Sequence, residues 1–333
     1  MRIGEKGGLR PGTRQMRDAF GEALLEAARA DPRIVALDGD LSSSTGMAGM
    51  RKELPMRFFN MGIAEANLVG VSAGLAANGF IPFVGSLPSF LLPNAYDQLR
   101  LQVAIAGLNV KLLGSHAGIS TGREGPTSMS IEDLALVGGL PTFSILVPSD
   151  EHSMAAAVKA AAAHGGPVYI RSSRGEFPQV YGERPCAVAV GKANLLRQGA
   201  DVLGGFGADV TIVACGLMTG AALDAAAELA GEGIQARVLD MLSVKPIDRD
   251  AVTAAARETG ALVTAEEHLV RGGLGAAVSQ VAAETCPVPM RFIGIHDTYL
   301  ESASVEELMA RHHLTAGDIA EAAREAIRAK RKG

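Results

Sequence analysis

Tryptophan is absent, and Phe and Tyr bring the aromatic share to only 4%. The core must therefore come from Ala, Val, Leu and Ile within the 48% apolar content, which suits an α/β protein with buried parallel strands. Cysteine is scarce. Cys186, Cys215 and Cys286 stand far apart and form no CxxC, so neither a disulfide framework nor a zinc site is expected. No apolar run reaches the roughly 18 residues of a membrane span. Met1 to Gly12 is polar and Gly-rich and has no apolar signal-type region. A soluble cytoplasmic protein is the expectation. The net charge is −5 and no basic stripe is present, so a nucleic-acid partner is not expected. Lys330-Arg331-Lys332 is short and reads as a solvated tail. Two phosphate-binding patterns are also missing, GxGxxG after a strand and GxxxxGK[ST].

What is present is alternation. The chain has 333 residues, enough for two domains of roughly 150 residues each. The first 12 residues read as a flexible tail. Met16, Ala19, Phe20, Ala23, Leu24 and Ala27 then recur at helical spacing until Asp31-Pro32. Ile34–Leu37 is a short apolar strand. Helices are expected at Ala64–Ala77, Ala95–Ala106 and Glu151–Ala163, and strands at Ile81–Gly85, Val110–Gly114, Phe143–Val147 and Val168–Arg171. Arg174 to Pro185 mixes Gly, Pro and charge and reads as the interdomain linker. A second alternating run follows, from a strand at Val210–Cys215 through a helix at Leu274–Glu284 and a strand at Met290–Ile295 to two terminal helices. The expected fold class is α/β with two doubly wound, mainly parallel domains, divided at residues 13–178 and 179–333.

Ligands of open α/β sheets sit outside the C-terminal strand ends. Four segments there carry chemistry. Asp38-Gly39-Asp40-Leu41-Ser42-Ser43-Ser44-Thr45 offers hydroxyls, backbone N–H groups and two carboxylates; a turn with a helix N-cap would look the same. Glu65 opens an Ala- and Gly-rich helix with little polar face, where a held carboxylate suits acid–base work; a first-turn Glu that complements the helix dipole is the simpler reading. Ser115-His116-Ala117-Gly118 runs into a long loop, Gly122-Arg123-Glu124-Gly125-Pro126-Thr127-Ser128, and long polar loops on a rigid sheet often carry function. Arg171-Ser172-Ser173-Arg174 suits an oxyanion, or is a charged linker.

Seven strings in order, LDGDLSSST, RFFNMGIAEANLVGVSAGLA, IPFVGSLPSF, NAYDQLR, SHAGIS, GPVYIR and GGLG, resemble the C-terminal half of transketolases, most of all the small subunits of two-subunit transketolases. The resemblance covers about Arg17 to Ile327. It implies a pyrimidine-binding domain followed by a transketolase C-terminal domain, and thiamine diphosphate as cofactor. The family's diphosphate and metal signature is a Gly-Asp-Gly with Asn residues downstream. Asp38-Gly39-Asp40 reverses that order and lacks the Asn pair. The resemblance therefore places the diphosphate-binding domain, and its Mg²⁺ or Ca²⁺, on a partner N-terminal transketolase subunit in an α₂β₂ assembly. No metal ligands are expected in this chain. An apolar surface around Phe58, Phe59 and the Glu65 helix should face that partner.

By the same resemblance the catalytic glutamate is Glu65, hydrogen-bonded to N1′ of the cofactor's aminopyrimidine. Phe90 is the stacking aromatic, and Asp40 and Leu41 line the thiazolium. Arg17, Ser44, His116 and Arg174 correspond to the set that binds a terminal phosphate, where a sulfonate fits almost as well. The loop nearer the reacting carbons departs from the family. Glu124 stands where Asp is usual, Ser128 where His is usual, and Arg123 adds a charge; Leu87 replaces a second aromatic. The expected activity is transfer of a two-carbon ketol unit from a phosphorylated, sugar-like donor to an aldose. The alternatives are two-carbon transfer to a carrier protein, a 2-oxo-acid dehydrogenase-like β subunit, or a catalytically silent partner subunit. Glu266-Glu267-His268 and Gly272-Gly273-Leu274-Gly275 read as polar contacts at the domain interface.

Overall fold

A computed structural model of the chain describes residues 3–182, 186–202 and 205–331. The first half holds α1 (Met16–Ala30), β1 (Ile34–Asp38), α2 (Ala48–Glu53), β2 (Phe58–Asn60), α3 (Glu65–Ala77), β3 (Ile81–Ser86), α4 (Pro88–Gln98), β4 (Lys111–Ser115), α5 (Asp133–Gly138), β5 (Ser144–Leu146), α6 (Glu151–Ala163) and β6 (Val168–Ser172). The second holds β7 (Asn194–Arg197), the hairpin β8 (Ala200–Val202) and β9 (Gly205–Gly207), β10 (Val210–Ala214), α7 (Met218–Gly231), β11 (Ala236–Asp240), β12 (Ser243–Lys245), α8 (Arg249–Thr259), β13 (Leu262–Leu269), α9 (Leu274–Thr285), β14 (Met290–Ile295), α10 (Val305–Arg311) and α11 (Ala316–Lys330). No described helix is long and apolar enough to cross a membrane.

Strands β1, β3, β4, β5 and β6 are buried along their whole length. That is what continuous runs such as Ile34-Val35-Ala36-Leu37 require when helices cover both faces. The first sheet has the order β12-β5-β6-β4-β3-β1-β2 and the second β14-β13-β10-β11-β7. Each is parallel except for one antiparallel edge, β12 and β7 respectively.

Strand β12 belongs in sequence to the second half, yet it closes the first sheet against β5. Lys245 Nζ completes the crossing by donating to the carbonyl of Leu140 at 2.6 Å. The segment expected as a linker is equally well held. Tyr181 is buried, its N–H donates to Asp150 Oδ2 at 2.8 Å, and its hydroxyl donates to Asp240 Oδ2 at 2.6 Å. Glu183–Pro185, also in that expected linker, lie outside the described residues. The flexible N-terminal tail is corrected as well. Residues 3–12 lie against the second half, with Asp224 accepting from the backbone of Gly4 and Gly7 and Lys6 Nζ 2.6 Å from Glu228. Asp224 offers both carboxylate oxygens to that turn, which holds it down.

Between the sheets lies a buried ionic cluster. Arg171, near the end of β6, donates from Nε to Asp133 Oδ2 at 2.8 Å and from Nη1 to Glu267 Oε1 at 3.1 Å. Its Nη2 donates to the Glu267 carbonyl at 3.1 Å, and the Tyr169 hydroxyl donates to Asp133 Oδ2 at 2.6 Å. Burial disfavours the charge on Arg171, but Asp133 and Glu267 outweigh it and hold the guanidinium above its ordinary range. Removing one partner from such a pair leaves uncompensated charge in the interior. Arg171→Leu should therefore cost about 3–5 kcal/mol in equilibrium urea unfolding; a loss below about 1 kcal/mol would mean that Asp133 and Glu267 are accommodated without it.

Asp240 is the other buried acid. Burial pushes its pKa up to about 7 against the hydroxyls of Tyr181, Thr219 and Ser149. The folded state thus keeps a proton that the unfolded chain has already lost. This contribution is complete below about pH 4 and disappears as pH rises through about 7. Asp240→Asn removes the titration, so its urea midpoint relative to the native chain should climb across that window. An offset independent of pH would show that Asp240 is ionised throughout.

Candidate active site

The strands β1, β2, β3, β4 and β6 run parallel, so their C-terminal ends open on one edge of the first sheet. The loop after β1 splits its two carboxylates between different tasks. Asp38 is fully buried and accepts from the Thr45 hydroxyl at 2.6 Å and from the Leu41 backbone, which fixes the turn. Burial raises its pKa. Asp40 is exposed at φ 66°, with Asn60 Nδ2 donating to it at 2.8 Å. Leu41 and Ser44 are half-buried beside it.

Glu65 is the first residue of α3 and is only 5% exposed. Among the described residues its hydrogen-bond partner is Ser86 Oγ, at a long 3.4 Å at the end of β3. The carboxyl is therefore buried yet barely engaged, and it can take a polar ligand. Phe90, half-buried in the first turn of α4, follows the same strand end. Leu87, in place of the second aromatic, is buried. The aminopyrimidine of thiamine diphosphate has both an acceptor nitrogen and an aromatic face, and an under-employed buried carboxyl at the end of β3, with a half-buried phenyl ring on the helix that follows, suits both. The residues present fit the group.

The expected apolar surface lies beside this carboxylate. Phe59 is exposed and Phe58 half-buried. Met56 (88% exposed) and Ile63 (84%) widen the surface, and Leu101 and Ile105 add to the chain's exposed apolar side chains. Helix α3 is not buried all round, since Asn67 and Gly74 are exposed.

The polar residues gather at the ends of β4 and β6. His116 follows β4 at φ 63° and is 5% exposed. Its Nδ1 lies 2.8 Å from Ser115 Oγ, and Ser115 donates to the Ser44 carbonyl at 2.7 Å, tying two loops together. Burial, then the charges of Arg174 and Arg17, lowers the His116 pKa to about 4. Arg17 reaches this place because α1 packs backbone to backbone against the β1 loop. Gly46, at φ 74°, touches the Arg17 carbonyl, and Gly21 meets Gly46 with no room for a Cβ. Arg17 Nε is buried with no hydrogen-bond partner among the described residues.

One pairing departs from expectation. Arg174 and Glu124, both assigned to substrate by resemblance, form an ion pair with each other. Ser128, half-buried, is held by its N–H to the Gly125 carbonyl at 3.1 Å. Sequence reading singled out the segments that hold Asn60 and Ser115 without giving either residue a role, and it missed Ser86 and Ser120, which are brought in only by the fold. Glu266 and His268 are structural, as expected. Glu266 accepts from the N–H groups of Leu274 and Gly275, both at 2.7 Å. Gly273 leaves the space for that carboxylate. His268 is fully buried, accepts from the Leu134 N–H at 3.1 Å, and has its pKa lowered to about 4 by burial.

Comparison with known proteins gives the family of the two domains. Residues 13–179 match the transketolase pyrimidine-binding domain and residues 191–319 the transketolase C-terminal domain. The chain is 43% identical over 315 residues to the 6-deoxy-6-sulfo-D-fructose transketolase subunit SqwH of Clostridium sp. (strain MSTE9), covering 95% of each chain. It is 38% identical to an apulose-4-phosphate transketolase subunit of Phocaeicola vulgatus, covering 94% of this chain and 97% of that one. A solved structure described as a split gene transketolase, inactive beta4 tetramer, superposes with a TM-score of 0.87 at 44% identity, covering 95% of this chain and 99% of that one. The chain belongs to the transketolase family, of thiamine-diphosphate-dependent enzymes, carries its pyrimidine-binding and C-terminal domains, and is similar along its length to split-gene subunits of ketol-transferring transketolases.

Proposed function

We propose that this chain completes its active site against a partner subunit that carries the diphosphate-binding domain, as α₂β₂, and moves a two-carbon unit from an anionic keto-sugar to an aldose. The observation that carries this reading is Glu65, a buried and weakly partnered carboxyl beside an exposed apolar surface. A partner covering that surface would also close the carboxyl from water. The Mg²⁺ or Ca²⁺ belongs to the partner in this reading. A cytoplasmic location is part of it, in keeping with the free thiols of Cys186, Cys215 and Cys286.

Bound thiamine diphosphate would supply a nucleophilic thiazolium carbon and an electron sink for cleaving the ketose C2–C3 bond. The chain's own residues orient the reactants and manage protons. Glu65 holds a proton at N1′ of the aminopyrimidine, and its burial keeps solvent from competing for that contact. Phe90 provides a stacking face. Asp40, fixed by Asn60, and Leu41 flank the thiazolium. Arg17, Ser44, His116 and Arg174 take the charged end of the sugar, while Glu124 and Ser128 meet its hydroxyls. The substrates named for the two relatives, a sulfo-fructose and a sugar phosphate, share such a charged end.

Glu65→Gln should lower kcat of the reconstituted complex by about 10²–10⁴, the range for a general acid–base group, while assembly measured by size exclusion is unchanged. Unaltered kcat would remove Glu65 from the mechanism. Gly21→Ala should push α1 away from Gly46, displace Arg17 and Ser44, and raise KM for the ketose by about tenfold or more. An unchanged KM would mean that the α1 contact does not position the anion set.

A further inference from the structure

We infer that the anion end of this site is set for a singly charged head group, so that a terminal sulfonate is preferred over a phosphate dianion. The inference rests on the proposed use of Arg17, Ser44, His116 and Arg174 as the anion-binding set.

The charges facing that space come from three elements. Arg17 on α1 and Arg174 after β6 are the cations. Glu124 neutralises Arg174 directly. The backbone on either side of Glu124 is fixed. Gly122 and Gly125 take φ of 66° and 81°, and the carbonyl of Arg123 accepts from Ser302 Oγ. Arg174 is held at its backbone, where its N–H donates to Ser120 Oγ at 2.8 Å, and the Nη1 that meets Glu124 also donates to the Thr121 carbonyl at 3.4 Å. An aspartate in place of Glu124 would be one methylene short of this reach. His116 offers a hydrogen bond and no charge, because burial and the two arginines hold its pKa near about 4. Asp18 forms a long ion pair with Arg17, 3.8 Å from its Nε, and Arg123, on the Glu124 loop, acts on Glu307. The charge left for a ligand is at most that of Arg17, whose buried Nε has no hydrogen-bond partner among the described residues.

A sulfonate brings one charge and three acceptor oxygens at any working pH. A phosphate monoester brings about −1.5 to −2 at pH 7. Its second charge must be met by expelling Glu124 from Arg174 or by protonating His116. From a pKa of about 4, protonation at pH 7 is disfavoured by about a thousandfold.

The test uses the chain reconstituted with its partner subunit, thiamine diphosphate and Mg²⁺. 6-Deoxy-6-sulfofructose and fructose 6-phosphate are compared with one acceptor between about pH 5.5 and about pH 8, a span that crosses the second phosphate pKa. At the alkaline end kcat/KM should favour the sulfonate by about tenfold or more. The ratio should shrink toward the acid end, where the phosphate becomes a monoanion and His116 nears its own titration. Glu124→Gln should shift the phosphate-to-sulfonate ratio by about tenfold toward phosphate. A phosphate preference at pH 8, or a ratio that Glu124→Gln does not move, would overturn the inference. A complex that turns over neither ketose would instead count against the proposed function. Titration calorimetry of that complex with propane-1-sulfonate and propyl phosphate would then decide the charge preference, and equal or tighter phosphate binding at pH 8 would reject it.

Discussion

Arg171 has no access to water, and everything around it is arranged to answer its charge. Asp133 comes from the start of α5, Glu267 from β13 of the other half, and Tyr169 from its own strand. The cluster therefore joins the two sheets at the point where the loop after β4 begins. Gly118 lies against it so closely that a Cβ there would stand 2.6 Å from Arg171 Nη2. Ser120 N–H donates to Glu267 Oε2 at 3.3 Å, and Ser120 Oγ accepts from Arg174. A charge that burial makes costly thus fixes the loop that carries His116, Glu124 and Ser128.

The same economy of construction explains how one chain can hold half a site. Most functional side chains follow strand ends of the first sheet, with Arg17 brought in on α1, and β1, β3, β4 and β6 are buried along their whole length. Backbone contacts do the finer positioning: Gly21 on Gly46 for Arg17, Ser115 on Ser44 for His116. Nothing comparable covers Met56, Phe59 and Ile63, which remain in water beside Glu65. Rigidity on the sheet side and exposed apolar surface on the other are what a site shared between two chains demands.

The alternation of elements is readable because buried parallel strands and amphipathic helices leave periodic marks in sequence. Helix Glu151–Ala163 and strand Met290–Ile295 match the expected bounds. Elements without a strong period escape such reading. The first turn of α4 begins at Pro88 rather than near Ala95, and the short β2, α5 and β7 have too few residues to show a pattern. Helix α3 shows little polar face in sequence because its exposed positions are Gly74 and Ala77 with Asn67 as the one polar residue among them. The N-terminal segment reads as free because Gly-rich sequence says nothing of a carboxylate 220 residues away.

By itself the sequence determined the doubly wound α/β class, the family, and the identity of the residues at strand ends, since these depend on local periodicity and on strings that persist in order. Tertiary structure decided which charges meet. That Glu124 answers Arg174, that Asp38 is a turn support while Asp40 stays exposed, and that β12 crosses to the first sheet all depend on segments brought together through space. Electrostatic pairing depends on distance and burial, and neither is carried by the order of residues along the chain.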